Sequence, residues 1–167
     1  MNIPDLTRRH FLGGAALLSA QSAGDSVRVA FIGVGNRGSF LERHMLKVPG
    51  IKVVAICDIN PDNLKAAIDQ AAAAGHSPDP YTEYRKLLER KDIDAVVIAT
   101  PVDFHKEMAI AALEIGKNVY CEKPMAVTPE DCRQVTNTAA SAKGIFQAGF
   151  QLRHDPNRAG SSSFPSP

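Results

Sequence analysis

The chain has 167 residues, which is the size of one ordinary domain with a hydrophobic core of its own. Its 19 basic and 18 acidic side chains give a formal net charge of +1, and no basic stripe is interleaved with aromatic residues, so a nucleic-acid partner is not expected. No apolar run reaches the roughly 18 residues that a membrane-spanning helix needs, so no membrane span is expected.

The first 26 residues are expected to be an export leader rather than part of the fold. Two arginines, Arg8 and Arg9, precede a short apolar stretch at 11–18, and small residues follow at 19–24. Bacterial signal peptides have this order of basic, apolar and cleavage regions, and the paired arginines before Phe-Leu resemble the twin-arginine (Tat) type. An ordinary amphipathic or unstructured leader is the alternative. The Tat interpretation predicts a periplasmic or secreted protein.

A glycine-rich turn follows the first predicted strand. Residues 27–32 form an apolar run rich in β-branched side chains, which is typical of a buried parallel strand. Gly33, Gly35 and Gly38 then have the spacing Gly-x-Gly-x-x-Gly, and a helical pattern begins at 39. Between a strand and a helix, such glycines allow a tight turn, the approach of a pyrophosphate to the backbone, and close helix packing. The segment therefore predicts a dinucleotide site, and a turn without a ligand is the alternative.

An acidic residue follows the second predicted strand. Asp58 comes directly after the apolar pattern Ile51–Cys57 and twenty residues after Gly38. A carboxylate at that strand end can accept hydrogen bonds from the adenosine ribose, and it repels a 2′-phosphate. Asp58 therefore predicts NAD rather than NADP as the cofactor. The alternative is that Asp58 only caps a loop.

Helices and strands alternate along the rest of the chain. Helices are predicted at 62–74, 82–90, 104–115 and 129–142, and strands at 94–99, 118–121 and 145–150. The predicted N-caps are Asn60, Thr82 and Thr128, and residues 76–80 are assigned to a turn. Strands that alternate with helices of this length form a doubly wound parallel sheet, so we predict a Rossmann-like α/β fold.

Three residues lie close to the carboxyl end of the strand predicted at 94–99. Because ligands bind beyond the carboxyl ends of strands in open parallel sheets, Thr100 and Pro101 are placed at the cofactor crevice. His105 lies either at that crevice or on the solvent-facing side of the next helix.

The chain has three cysteines, Cys57, Cys121 and Cys132. They are odd in number and lack the spacing of metal ligands, so we expect buried free thiols, no disulfide framework and no metal site.

Segments from most of the chain form one larger pattern. They are Gly33-Val34-Gly35-Asn36-Arg37-Gly38, Asp58, Ala99-Thr100-Pro101, His105, Glu122-Lys123-Pro124 and Ala148-Gly149-Phe150-Gln151. Together they resemble the Gfo/Idh/MocA oxidoreductases over residues 27 to about 157, and Glu-Lys-Pro at this spacing is the most specific part. The resemblance implies an NAD(P)-binding Rossmann domain and an enzyme that acts on sugars, inositols or related polyols.

The resemblance also implies roles for individual residues. Lys123 is the candidate catalytic residue, because the lysine of this motif lies near the nicotinamide and the reacting hydroxyl in the family. An ammonium there can hydrogen-bond the hydroxyl and stabilise developing negative charge during hydride transfer. Asn36, Arg37, Glu122 and Gln151 are placed at the cofactor by the same resemblance, and a homo-oligomer is implied. A solvated surface lysine is the alternative for Lys123.

Exported members of the family that have a Tat leader include NAD-dependent glycosidases, which this chain resembles in its leader and its Gly-Asn-Arg-Gly turn. A glycosidase fragment and a non-catalytic nucleotide-binding module are therefore alternatives to a dehydrogenase. Family members continue for about another domain, which binds the substrate, whereas the pattern here ends near Asn157. Residues 158–167 are rich in Ser and Pro and predict a disordered tail. We therefore expect a leader at 1–26, a cofactor domain at 27–157 and a truncated or frame-shifted product that is inactive alone.

Overall fold

The computed structural model describes residues 26–150. The strands are β1 (Val27–Ile32), β2 (Ile51–Cys57), β3 (Asp79–Tyr81), β4 (Ala95–Ile98), β5 (Asn118–Glu122) and β6 (Phe146–Gly149). The helices are α1 (Asn36–Met45), α2 (Pro61–Ala73), α3 (Tyr84–Leu88), α4 (His105–Glu114) and α5 (Pro129–Ser141), and a 3₁₀ turn at Val102–Phe104 precedes α4. Residues 1–25 of the predicted leader, Gln151 and the predicted tail lie outside the described residues.

The strands form one six-stranded sheet in the order β3-β2-β1-β4-β5-β6. Every neighbouring pair is parallel. The chain moves outward from β1 to β3 and then crosses back to β4 on the other side of β1. The strand order therefore reverses between β1 and β4, and open α/β sheets bind their ligands in the crevice at such a point. The predicted Rossmann-like doubly wound sheet is confirmed.

Alternate strand residues supply two apolar layers, one on each face of the sheet. One layer includes Phe31 and Ile56 and packs against α1 and α2. The other includes Ile32 and Ile98 and packs against α3, α4 and α5, where Leu113 is one of the buried helix residues. Because burying one such side chain contributes about 1.5–3 kcal/mol, these layers hold the strand ends in fixed positions.

Two predicted helix caps are confirmed. The Asn60 side chain accepts a hydrogen bond from the backbone N–H of Asp62 at 2.9 Å. The Thr128 hydroxyl accepts one from the backbone N–H of Asp131 at 3.1 Å. A proline follows each cap at the first helical position, where its missing N–H has no consequence.

Two predictions between residues 76 and 90 are wrong. The turn assigned to 76–80 contains part of β3, which pairs with β2 at the edge of the sheet. Pro80 cannot donate a ladder hydrogen bond, and edge strands are where sheets tolerate proline. Helix α3 begins at Tyr84 with Glu83, not Thr82, in the cap position, and no side chain in the described part of the chain caps it.

Two of the cysteines are buried as predicted, while Cys132 on α5 is only half-buried, and all three are free thiols. Burial raises the pKa of Cys57 to about 11 and that of Cys121 to about 12. Both therefore remain protonated at neutral pH and are poor nucleophiles.

Within residues 26–150, no cluster of His, Cys, Asp and Glu is arranged to hold a metal ion. No helix in that part of the chain has both the length and the apolar character to cross a membrane.

Candidate functional site

A cavity of about 680 Å³ opens at the carboxyl edge of the sheet, where β1, β2 and β4 end. Exposed apolar side chains contribute to its wall, including Ile59, which is 87% exposed, and Phe104, which is 49% exposed. An apolar hollow with a few polar groups is the usual form of a small-molecule site. The predicted site residues that line it are Gly33, Gly35, Asp58, Thr100 and Pro101.

The packing of the turn itself requires two of its three glycines. Gly33 has a φ of +84°, and a Cβ at this position would lie 2.8 Å from the backbone nitrogen of Thr100. A Cβ on Gly38 would lie 2.0 Å from the carbonyl oxygen of Gly33. The absence of these side chains lets α1 and the end of β4 pack directly against the turn.

The packing of the chain does not require a glycine at position 35. Its φ is −63°, and the nearest atom to a Cβ there would be Nδ2 of Asn63 at 3.8 Å, which is an ordinary contact. Among the described residues no side chain caps α1, so its first N–H groups and the positive end of its dipole are left available to an anion at the start of the helix. A dinucleotide pyrophosphate needs this close approach to the backbone, so the residues present fit the cofactor.

Asp58 is buried at the end of β2 and ties that strand end to the glycine turn. Its Oδ2 accepts a hydrogen bond from the backbone N–H of Val34 at 2.8 Å, and its Oδ1 accepts one from Asn60 at 2.8 Å. Each carboxylate oxygen has a further lone pair, so the same group can still accept hydrogen bonds from ribose hydroxyls.

One wall of the cavity consists of residues that the sequence analysis did not place at the site. The Tyr84 hydroxyl on α3 donates a hydrogen bond to Glu107 on α4 at 2.6 Å. Arg85 forms an ion pair with the same carboxylate, and its guanidinium carbon lies 4.7 Å from the centre of the Tyr84 ring. The spacing of Tyr84 on an apolar helix face indicates only a core position. Strand β3 lies directly before α3 in the chain. Had β3 been predicted at the edge of the sheet, it would have indicated that α3 begins beside the crevice.

The pKa shifts of Tyr84 and Glu107 agree with a hydrogen bond from the tyrosine hydroxyl to an ionised carboxylate. Burial and the neighbouring Glu107 raise the pKa of Tyr84 to about 12, so its hydroxyl remains a hydrogen-bond donor at neutral pH. The hydrogen bond from Tyr84 and the charge of Arg85 lower the pKa of Glu107. A tyrosine donor, a carboxylate and a guanidinium therefore lie side by side on this wall.

His105 is buried at the start of α4, which excludes the solvent-facing alternative. Its Nε2 lies 2.8 Å from the carbonyl oxygen of Thr100, and its Nδ1 lies 2.8 Å from that of Pro124. The imidazole thus connects the end of β4 to the loop after β5. It is not among the side chains that line the cavity, and its contact with a cofactor stays a prediction.

The Glu-Lys-Pro segment forms the end of β5 and the loop that follows. Glu122 is buried and pairs with Arg37 of α1, whose Nε donates to Glu122 Oε1 at 2.7 Å. This pairing raises the pKa of Arg37. The Lys123 side chain is exposed, and within residues 26–150 no group accepts a hydrogen bond from its ammonium.

Several predicted cofactor residues are not among the side chains that line the cavity. These are Asn36, Arg37, Gly38, Glu122 and Lys123, and Gln151 lies outside the described residues. Their contacts with a cofactor stay predictions.

Comparison with known proteins adds to this geometry. Residues 27–150 match the family described as an oxidoreductase family with an NAD-binding Rossmann fold. A glycosyl hydrolase family 109 protein of Shewanella pealeana is 42% identical over 120 residues, which cover 69% of this chain and 26% of that protein. An inositol 2-dehydrogenase of Salmonella paratyphi B is 36% identical over 132 residues, which cover 78% of this chain and 38% of that protein.

A solved structure has the same fold. Scyllo-inositol dehydrogenase from Lactobacillus casei, with bound NAD(H) and scyllo-inositol, aligns with a TM-score of 0.75 and 25% identity. The alignment covers 81% of this chain and 39% of that one, so the chain spans about a quarter to two fifths of the length of these relatives. The matched region coincides with the sheet, the glycine turn and Asp58, and the chain accordingly belongs to the Gfo/Idh/MocA oxidoreductases, with an NAD-binding Rossmann domain at residues 27–150.

Proposed function

We propose that this chain is the cofactor domain of an oxidoreductase that transfers a hydride between NAD and a hydroxyl-bearing carbon of a sugar or polyol. The observation that carries the proposal is the open start of α1 at Gly35. The protein itself leaves room for a side chain at this position, whereas a bound pyrophosphate would occupy that room. The inositol dehydrogenases among its relatives support a polyol as substrate.

Bound NAD supplies a nicotinamide that accepts or releases a hydride. The chain supplies the binding and orienting groups: the uncapped start of α1 for the phosphates and the Asp58 carboxylate for the ribose hydroxyls. At the end of β5, the Lys123 ammonium, which has no acceptor among residues 26–150, would donate a hydrogen bond to the substrate oxygen. In the direction of carbonyl reduction it would stabilise the negative charge that develops on that oxygen as the hydride arrives, and its own proton would complete the hydroxyl.

Titration of NAD and of NADP into the purified full chain, followed by calorimetry, tests this proposal. NAD is expected to bind, and NADP to bind more weakly, because the Asp58 carboxylate repels a 2′-phosphate. If neither nucleotide binds, the proposal is wrong. A preference for NADP would contradict only the role of Asp58.

A second candidate is an NAD-dependent glycosidase, favoured by the 42% identity with the family 109 protein. Both candidates use the same cofactor site, so the substrate distinguishes them. Because the chain is expected to be inactive alone, the assays use it together with the substrate domain of a relative. Release of nitrophenol from a nitrophenyl glycoside without net NADH would support the glycosidase. Accumulation of NADH with inositol would support the dehydrogenase.

Export through the Tat pathway is also part of the proposal, on the basis of Arg8 and Arg9 before the apolar stretch at 11–18. A reporter fused to the leader is expected to stay in the cytoplasm when both arginines are changed to lysine. Undiminished export of that variant would contradict a Tat leader.

A further inference from the structure

We propose that Arg37 and Glu122 are a positioning pair that couples the glycine turn to Lys123, and that Arg37 is not a ligand of the cofactor phosphates. This inference rests on the proposed function, because the group that the pair positions is the ammonium expected to face the substrate oxygen. The pair connects the segment that binds phosphates with the segment that carries Lys123.

The guanidinium of Arg37 is directed at β5. Arg37 is the second residue of α1, within the turn that faces the phosphates. Its Nε and a terminal nitrogen each lie 2.7 Å from the same oxygen, Oε1 of Glu122. Its guanidinium carbon lies 5.1 Å from the centre of the Phe40 ring, also on α1. Two of its nitrogens are thus engaged on the side of the helix that faces β5.

Glu122 contacts both Arg37 and the backbone of Lys123. Its carboxylate is almost fully buried, and Oε2 accepts a hydrogen bond from the backbone N–H of Lys123 at 3.2 Å. Oε1 also accepts one from the Tyr120 hydroxyl at 3.2 Å. A Cβ on Gly149 would lie 3.2 Å from the carboxyl carbon, so β6 leaves space for the group. One carboxylate thus anchors the backbone of Lys123 to α1.

The two side chains depend on each other for an electrostatic reason. A buried carboxylate that loses its only cationic partner becomes strongly destabilising, whereas replacing both members of the pair with neutral groups has a smaller effect. A direct contact between Arg37 and a phosphate would not depend on Glu122. A double-mutant cycle therefore gives different results for the two roles.

The cycle uses the full chain with Arg37→Gln, Glu122→Gln and the double variant. Arg43→Gln on the same helix is the control for NAD affinity and for uptake at 123–126, because among the described residues the Arg43 side chain donates a hydrogen bond to Gln70 at 3.2 Å and makes none with that loop. The measurements are the Kd for NAD, the melting temperature and the deuterium uptake of backbone amides at 123–126 in the absence of NAD. Arg37→Gln is expected to lower the melting temperature and to raise uptake in that loop. It is also expected to weaken NAD binding about tenfold, because the start of α1, which faces the phosphates, is no longer held against β5.

The double variant decides between the two roles. If the two residues are a positioning pair, the double variant is expected to bind NAD no more weakly than Arg37→Gln alone. The double variant is also expected to melt at a higher temperature than Arg37→Gln. Losses of NAD affinity that multiply in the double variant would show a direct phosphate contact and overturn the inference. Unchanged uptake at 123–126 in Arg37→Gln would overturn it as well.

Failure of the two proposals is distinguishable. A wild-type chain that does not bind NAD contradicts the proposed function, while the uptake and melting measurements without NAD still decide the coupling. If Arg37→Gln does not fold, Arg37→Lys takes its place. Lysine keeps the charge but has one nitrogen, so it cannot donate two hydrogen bonds from separate nitrogens to Glu122 Oε1. Deuterium uptake at 123–126 is therefore expected to rise in Arg37→Lys. Unchanged uptake would overturn the inference.

Discussion

Single residues of the glycine turn have separable roles in folding and in binding. Gly35→Ala is expected to change the free energy of unfolding by no more than about 1 kcal/mol, because its φ suits alanine and a Cβ there has room. The same change is expected to weaken NAD binding about tenfold or more, since the methyl group occupies the path of the pyrophosphate. Thermal unfolding and a calorimetric NAD titration measure the two effects.

Gly38→Ala is the matched comparison for Gly35→Ala. Its Cβ would lie 2.0 Å from the carbonyl oxygen of Gly33, so the backbone must move and the loss of stability is expected to be about 2 kcal/mol or more. Wild-type affinity for NAD in Gly35→Ala would contradict the assignment of a phosphate to that position.

The sequence predicts those residues whose role is set within one strand-turn-helix unit. The glycines and Asp58 are of this kind, because their spacing alone places them at adjacent strand ends. The contact of Arg37 with Glu122 joins residues 85 positions apart in the chain. A pattern of strands and helices brings their segments to one edge of the sheet, but it does not specify which side chains meet there.

At the scale of secondary-structure elements, α4 connects the ends of β4 and β5 through His105. The change His105→Phe keeps a ring in the buried space but removes both ring nitrogens that face the carbonyls of Thr100 and Pro124. We expect the free energy of unfolding to fall by about 2 kcal/mol. Deuterium uptake is expected to rise both at 100–103 and at 123–126, because each loop loses a ring nitrogen that lies 2.8 Å from one of its carbonyl oxygens.

The control for His105→Phe is His44→Phe, since His44 is an exposed residue of α1 that bonds a carbonyl of its own helix. It should leave both loops unchanged. An increase confined to one loop, or none in either, would mean that the His105 ring fills space without connecting the two strands.

Long elements with a clear apolar pattern or a clear cap can be predicted from the sequence, whereas elements that form through contacts with distant segments cannot. The long apolar strands and the helices with proline after the cap were predicted within a few residues. Strand β3 has three residues, one of them a proline, so it shows no alternation and forms because β2 offers it an edge. Helix α1 begins at Asn36, three residues before the predicted start, because Gly38 lies inside its first turn and packs on Gly33.

The stability of the whole molecule depends in part on a carboxyl group between α1 and α2. The Glu42 side chain on α1 is fully buried. Its Oε2 accepts a hydrogen bond from Gln70 on α2 at 3.1 Å, while Oε1 has no partner among the described residues. Burial raises the pKa of Glu42 to about 7, although the hydrogen bond from Gln70 and the charge of Arg43 act in the opposite direction. The neutral acid is therefore the form that suits the folded chain.

This raised pKa makes stability depend on pH with a definite sign. Between about pH 4.5 and 7, the folded chain holds a proton on Glu42 that the unfolded chain has lost. The contribution of Glu42 to the free energy of unfolding therefore falls as the pH rises through this range and levels off above it. Glu42→Gln cannot ionise and keeps an acceptor for Gln70, so its stability relative to the wild type is expected to rise with pH, by up to about 3 kcal/mol.

Denaturant unfolding of both chains at a series of pH values from about 4.5 to 8 measures this difference, and Glu114→Gln on the exposed side of α4 is the matched control. The difference between two chains cancels every titrating group that they share, so its slope reports Glu42 alone. A difference that stays flat across the range would mean that the Glu42 carboxyl is ionised in the folded chain. In that case a hydrogen-bonded water or a shift of α1 against α2 must supply the partner that Oε1 lacks.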